Sequence, residues 1–213
     1  ILEQLNLPKG SMQLVDKERS NNILGLLKNL KKSLSAGGSA ANTIHGLATL
    51  GASAGYIGVI GEDELGGSFV RDMINAGVDP HLIHSTEETG RAIALVTPDS
   101  ERTFATYLGA AIELSADHFA EDSLQSSVSS PQSRITGHQS YSQVFSDYSY
   151  FHIEGYLVQN HALVEKAVKL ARQNNLIISI DLASYNVVES NREFLRSIIE
   201  NYVDIVFANE EEA

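Results

Sequence analysis

The 213 residues, 43% of them apolar, suffice for one domain, or one domain with a small appendage, and leave little room for two. Fifteen basic against 27 acidic residues give a formal net charge of −12, which repels nucleic-acid phosphates and anionic lipid and argues against partners of either kind. The absence of cysteine excludes disulfides, thiolate metal sites and a thiol nucleophile and fits a cytoplasmic protein, and no apolar run reaches the roughly 20 residues of a membrane helix.

In chain order, Ile23, Leu24, Leu26, Leu27 and Leu30 keep a near-helical spacing behind Asp16, which predicts an amphipathic helix over 16–32 with Asp16 as its N-cap. A second helix is predicted over 43–50, with Asn42 as N-cap and Gly51 just past its end. Residues 56–60 read as a buried strand closed by Gly61, and 65–76 as a helix stopped by Gly77. After G-V-D-P the residues alternate apolar and polar around Pro98-Asp99-Ser100, which predicts an exposed hairpin between Ala94 and Tyr107.

The Ser- and Gln-rich segment 123–143 has no period and few large apolar side chains, so it reads as a mobile loop. From Tyr150 a strand (YFHI), a helix over 161–174, a strand (LIISID), a helix over 192–199 and a strand (VDIVFA) follow one another. Strands alternating with helices predict an α/β fold, a mainly parallel sheet covered on both faces, with the hairpin as a small antiparallel layer.

The stretch A-G-G-S-A-A-N, residues 36–42, raises the question of a phosphate cradle. Gly37 and Gly38 are adjacent and follow a polar segment, so they do not match G-x-G-x-x-G after a strand, and no lysine between Ser33 and Gly66 completes a phosphate loop. The missing dinucleotide fingerprint also argues against a nicotinamide-dependent oxidoreductase. Two readings stay open. The glycines make a turn and Asn42 caps a helix, or bare backbone and an amide side chain are offered to a polyhydroxylated ligand. The seven histidines lack metal-ligand spacing, and no serine lies in G-x-S-x-G.

Several motifs in order resemble the ribokinase-like (PfkB) family of carbohydrate and nucleoside kinases. They are A-G-G-S-A-A-N; G-x-x-G-x-D-x-x-G at Gly58, Gly61, Asp63 and Gly66; G-V-D at Gly77–Asp79; T-G at Thr89 and Gly90; D-S-E-R-T, where Ser100 replaces the family's glycine; I-E-G-Y; D-L-A-S-Y-N; and N-x-x-E at Asn209 and Glu212. The long helix before the double glycine is closer to the adenosine-kinase branch. The resemblance implies an incomplete ribokinase-like three-layer sandwich in a single domain over 1–213, with a β lid whose strands lie around 9–15 and 82–110.

It further implies ATP and Mg²⁺ as cofactors and a primary hydroxyl of a sugar or nucleoside as acceptor. Gly37, Gly38, Asn42 and Glu154 would face the substrate, Asp181, Asn209 and Glu212 the phosphates, and Glu212 the metal through water. The lid strands would let two copies pair as a homodimer, or be protected by extra cover. The family's opening strand and the G-A-G-D segment that carries its base are not found between Ile1 and Ala213, so this stretch alone is expected to be inactive. A non-catalytic sugar- or nucleoside-binding protein on the same fold is the alternative.

Overall fold

The computed structural model describes residues 2–119 and 141–213, and its contacts divide the chain into Ile1–Glu113 and Leu114–Ala213. The predicted loop at 123–143 lies outside the described residues as far as 140.

In the first unit, α1 (Lys17–Leu26) follows the short strand β1 (Met12–Leu14) and is capped as expected, the Asp16 carboxylate accepting from the Arg19 N–H at 2.7 Å. It ends six residues before the predicted 32. Ile23 and Leu27 are buried, whereas Leu30 and Leu34 are exposed, so the later leucines find no core to reward further turns. The segment that leads into the hairpin is tied to α1 by Lys17, whose ammonium lies 3.0 Å from Glu87 and 3.1 Å from Glu88. The Glu88 N–H, then Lys17 and the Tyr107 hydroxyl, hold the Glu87 carboxyl down to about 2.

Helix α2 spans Ser39–Thr49 and its cap is Gly38, which corrects the assignment of Asn42 as N-cap. Asn42 sits inside the first turn, donating its own N–H to the Gly38 carbonyl at 2.9 Å. Gly38 has φ 105°, a conformation that costs glycine nothing, and it lets the chain enter the helix before the small residues Ser39, Ala40 and Ala41.

Strand β2 (Ala54–Gly61) leads through α3 (Glu64–Asn75) to β3 (Val78–Ser85), which pairs with β2 in parallel from Ala54↔Val78 to Gly61↔Ser85. Sequence patterning missed β3 because Pro80 breaks the pattern; in the structure β3 is an edge of its two-stranded sheet, where a missing N–H is tolerated. Ala41, Met73 and Val78 form the core beneath, with Ile44, Tyr56 and Phe69 packed on it.

The hairpin is β4 (Arg91–Val96) against β5 (Arg102–Tyr107), with β1 added in parallel on the far side of β5. Its turn closes by Ser100 N–H to Thr97 C=O at 2.8 Å, and Ser100 takes the left-handed φ of 67° that a glycine would take more cheaply. Only one face is exposed. Ala105 on the other packs with Leu5, Leu7, Ile23 and Leu27 under α1.

One carboxylate joins β2, α3 and the hairpin. Asp63 caps α3 by accepting from the Gly66 N–H at 2.8 Å, and it also accepts from the Thr89 N–H at 2.8 Å and the Thr89 hydroxyl at 2.7 Å. The Thr89 oxygen in turn accepts from the Gly61 N–H at 2.9 Å. Gly61 and Gly66 are required by close approach: a Cβ on the first would run into the Glu87 carbonyl and the Thr89 nitrogen, and on the second into the Gly61 carbonyl.

In the second unit a 3-10 turn (Ala116–Phe119) and α4 (Tyr141–Ser146) come before a parallel sheet in the order β6-β7-β8: Tyr150–Glu154, Ile177–Asp181 and Ile205–Phe207. Helix α5 (His161–Gln173) crosses from β6 to β7; α6 (Tyr185–Ser190) and α7 (Arg192–Tyr202) cross from β7 to β8. Val164, Ala167, Val168 and Ala171 on α5 are buried with Ile153, Ile178 and Ile180, the residues that alternate on one face of the sheet. Both units are thus α/β with parallel strands flanked by helices, as the alternating pattern predicts.

Burial pushes the Asp63 carboxyl up, but the donors from Gly66, Thr89 and Leu65 outweigh it and hold it below the ordinary aspartate value. A carboxyl depressed in the folded state stabilises above its unfolded pKa, and that contribution is lost as pH falls through the folded value. Asp63→Asn should therefore cost about 2–3 kcal/mol in urea melts at pH 7, the worth of hydrogen bonds to a charged group. The gap to the unsubstituted protein should shrink by pH 3, and a gap that does not change with pH removes the charge from this account.

Candidate functional site

The residues expected to face a substrate lie in the first unit. Gly37 and Gly38 are exposed at the entry to α2, and a Cβ on either would meet no atom of the described residues within 4 Å. Gly38 needs its glycine for its backbone conformation; Gly37 does not, so the described residues give no steric reason for glycine there. Asn42, one turn on, points an exposed amide outward without a side-chain hydrogen bond among the described residues. It edges a groove of about 710 Å³ between α2 and α3 with His45, Thr49, Asp72 and Asn75. The Asp72 carboxylate accepts from the Ala36 N–H at 3.0 Å and so anchors the segment leading to the double glycine.

The open face of the hairpin layer belongs to the same unit. Met12 and Leu14 of β1 are 49% and 61% exposed and stand in register with Phe104 and Thr106 of β5. Ala94 pairs with Phe104 on the other side, so the face offers an apolar strip. By contrast, Gly61, Asp63, Gly66 and Thr89, prominent as motif residues, are spent on holding segments of the chain together.

The other expected residues lie in the second unit, at the carboxyl ends of its strands. Glu154 and Asp181 are register partners on β6 and β7, and Asp181 is the partner of Phe207 on β8. Asp181 uses one carboxylate oxygen to accept from the Ala183 N–H at 2.7 Å. Beyond β8, Asn209 and Glu212 clasp each other: the Asn209 side-chain amide donates to Glu212 Oε1 at 2.8 Å, and its N–H donates to Oε2 at 3.1 Å. Asn209 Oδ1 accepts from the Glu211 and Glu212 N–H groups at 2.9 and 3.1 Å.

The structure therefore brings Glu154 beside Asp181, and Asn209 against Glu212. Gly37, Gly38 and Asn42 form a separate group. Among the described residues no three His, Asp or Glu side chains converge as a metal cage. Each oxygen of Glu212 already accepts one hydrogen bond, so the donor set fits contact with a hydrated Mg²⁺ through water better than direct ligation.

Sequence reasoning missed His152. It shares a sheet face with Glu154, two residues on, and its Nδ1 lies 2.9 Å from the hydroxyl of its register partner Ser179. The period of two in Y-F-H-I-E was the available signal. Burial lowers the imidazole pKa more than the Asp181 charge raises it, which favours the neutral ring.

Gly37→Ala should leave thermal stability within about 0.5 kcal/mol, because its φ and surroundings accept a methyl, whereas Gly38→Ala should lose about 1–2 kcal/mol. Equal losses in thermal melts would show that Gly37 too is held by the fold.

The model of the pfkB family carbohydrate kinases matches residues 12–213. Among solved structures, the adenosine kinase from Sinorhizobium meliloti is 29% identical, with TM-score 0.75, covering 99% of this chain and 59% of that one. A probable sugar kinase from Rhizobium etli CFN 42 is 30% identical, with TM-score 0.76 and the same coverage. The adenosine kinase from Schistosoma mansoni in complex with adenosine, 22% identical with TM-score 0.76, shares the fold over all of this chain and 57% of that one. No curated protein matches. The chain spans under two thirds of the length of these solved structures. Their fold is the ribokinase-like one expected from the motifs, and the chain belongs to the pfkB family of carbohydrate kinases.

Proposed function

We propose that the protein transfers the γ-phosphoryl group of ATP to a primary hydroxyl of a nucleoside in preference to a free sugar. The observation that carries this reading is the group of Gly37, Gly38 and Asn42, where glycines with open space at the Cβ position meet an amide side chain with no hydrogen bond among the described residues. That combination accepts and donates hydrogen bonds to vicinal hydroxyls at close range. The apolar strip of Met12, Leu14 and Phe104 favours a flat base over a small sugar, which would leave it wet. Glu154 orients the acceptor, and Asp181 and the Asn209–Glu212 clasp hold the phosphates and the hydrated Mg²⁺.

When bound, ATP supplies the phosphoryl group and Mg²⁺ offsets its charge. The chain's own part is positioning and, through the hairpin lid, exclusion of water. Two copies pairing along β4, an edge strand with Arg91 as its one charge, and a cytoplasmic location belong to the same reading. No helix among the described residues is long and apolar enough to cross a membrane.

The complete protein should be tested by thermal shift with adenosine, inosine, ribose and fructose. The nucleosides should raise Tm most, since saturation to 100 Kd adds about 2.7 kcal/mol, and Gly37→Ala should abolish the rise. An equal response to ribose or fructose overturns the preference; no response to any of the four overturns the substrate site.

Residues 1–213 alone carry no G-A-G-D segment and, in this proposal, no base for the acceptor hydroxyl. This stretch should turn over no ATP in the presence of nucleoside; turnover by it would place the base elsewhere.

A further inference from the structure

The turn that links β7 to α6 holds a residue with a Cβ in the left-handed region. Ala183 has φ 64°, a left-handed conformation that costs a residue with a Cβ about 1–2 kcal/mol. The Ser184 N–H donates across it to the Leu182 carbonyl at 2.8 Å, while the Ala183 N–H donates to Asp181 Oδ1 at 2.7 Å. The preceding Leu182 N–H continues the ladder to the Phe207 carbonyl at 3.0 Å.

Gly155, following Glu154, presses on the same turn from β6. A Cβ there would run into the Asp181 carbonyl, and it would lie 2.7 Å from the Leu182 carbonyl carbon and 3.0 Å from the Ala183 methyl. Residues 181–183 are thus gripped by β8 on one side and by Gly155 on the other. Glycine at 183 would adopt the same φ without strain but would lack the methyl that meets Gly155. The strain persists because hydrogen bonds and packing over-determine the turn, and its product is an aspartate with one oxygen tied down and its Oδ2 without a hydrogen bond among the described residues.

We propose that Ala183 is a positioning residue: its left-handed turn and its methyl contact with Gly155 fix the Asp181 carboxylate at the carboxyl edge of the sheet beside Glu154, aimed at Mg²⁺·ATP. The proposal rests on the reading that Asp181 serves the phosphates or the metal. Relaxing the turn frees Asp181 to reorient, and a group that orients another toward a metal changes metal affinity by about tenfold when it is lost.

The test titrates free Mg²⁺ at fixed ATP against Tm and ATP binding in the complete protein, for Asp181→Asn, Ala183→Gly and Ala183→Asn. Ala183→Gly should melt no lower than the unsubstituted protein yet need about ten times more free Mg²⁺ for half-saturation. Asp181→Asn should need at least as much. Asparagine tolerates the left-handed region and keeps a Cβ, so Ala183→Asn should bind as the unsubstituted protein does.

If Asp181→Asn leaves the Mg²⁺ requirement unchanged, the role of Asp181 falls and this proposal with it. If Asp181→Asn weakens binding and Ala183→Gly does not, the proposal alone falls. A lower Tm for Ala183→Gly, or an Ala183→Asn as weak as the glycine variant, also overturns it, because the turn's contribution would then be to folding.

Discussion

The carboxylate of Asp63 is where three segments of the first unit meet: the end of β2, the start of α3 and the approach to the hairpin. Remove the charge and the first N–H groups of α3, the Thr89 N–H and the Thr89 hydroxyl compete for water in a space that Gly61 and Gly66 have made too tight to admit much of it. The hairpin can present a continuous face only if its base is fixed, and this carboxylate fixes it. A motif that reads like ligand chemistry is here the joint of a scaffold.

A second constraint shapes the other unit. Parallel strands send their carboxyl ends to one edge, so side chains far apart in sequence, Glu154, Asp181 and the residues after Phe207, gather there. Groups suited to hydroxyls and groups suited to phosphate thus arise from different local solutions: a glycine-led helix entry in one unit and a row of strand ends in the other. The chemistry proposed for the protein needs both, and it needs them held still more than it needs them reactive.

Much of this was legible in the order of residues. Asp16 and Gly77 marked real helix ends, the alternation around Pro98 marked a real hairpin, and the βα rhythm after Tyr150 gave three parallel strands in the right places. What escaped did so for physical reasons. Asn42 reads as a cap because its side chain suits one, but a glycine free to take a positive φ lets the helix start four residues earlier. Pro80 hides β3 because a proline argues against a strand only when both edges are paired. The leucines after Leu27 keep a helical period that no core answers. Ala183 carries no signal at all, since nothing in alanine announces a left-handed turn.

Strand β8 carries a practical consequence. Ile205, Val206 and Phe207 are 39%, 41% and 52% exposed on a strand that among the described residues pairs on one side only, with β7, and there is no charge among the three. In residues 1–213 taken alone such an edge favours association of copies, and their mutual repulsion at a net charge of −12 opposes it. Added salt screens that repulsion without weakening the apolar attraction, so the colloidal stability of this polypeptide falls with ionic strength while its folding stability need not. For this stretch taken alone, behaviour at high concentration should therefore follow buffer composition, through three side chains that take no part in the proposed reaction.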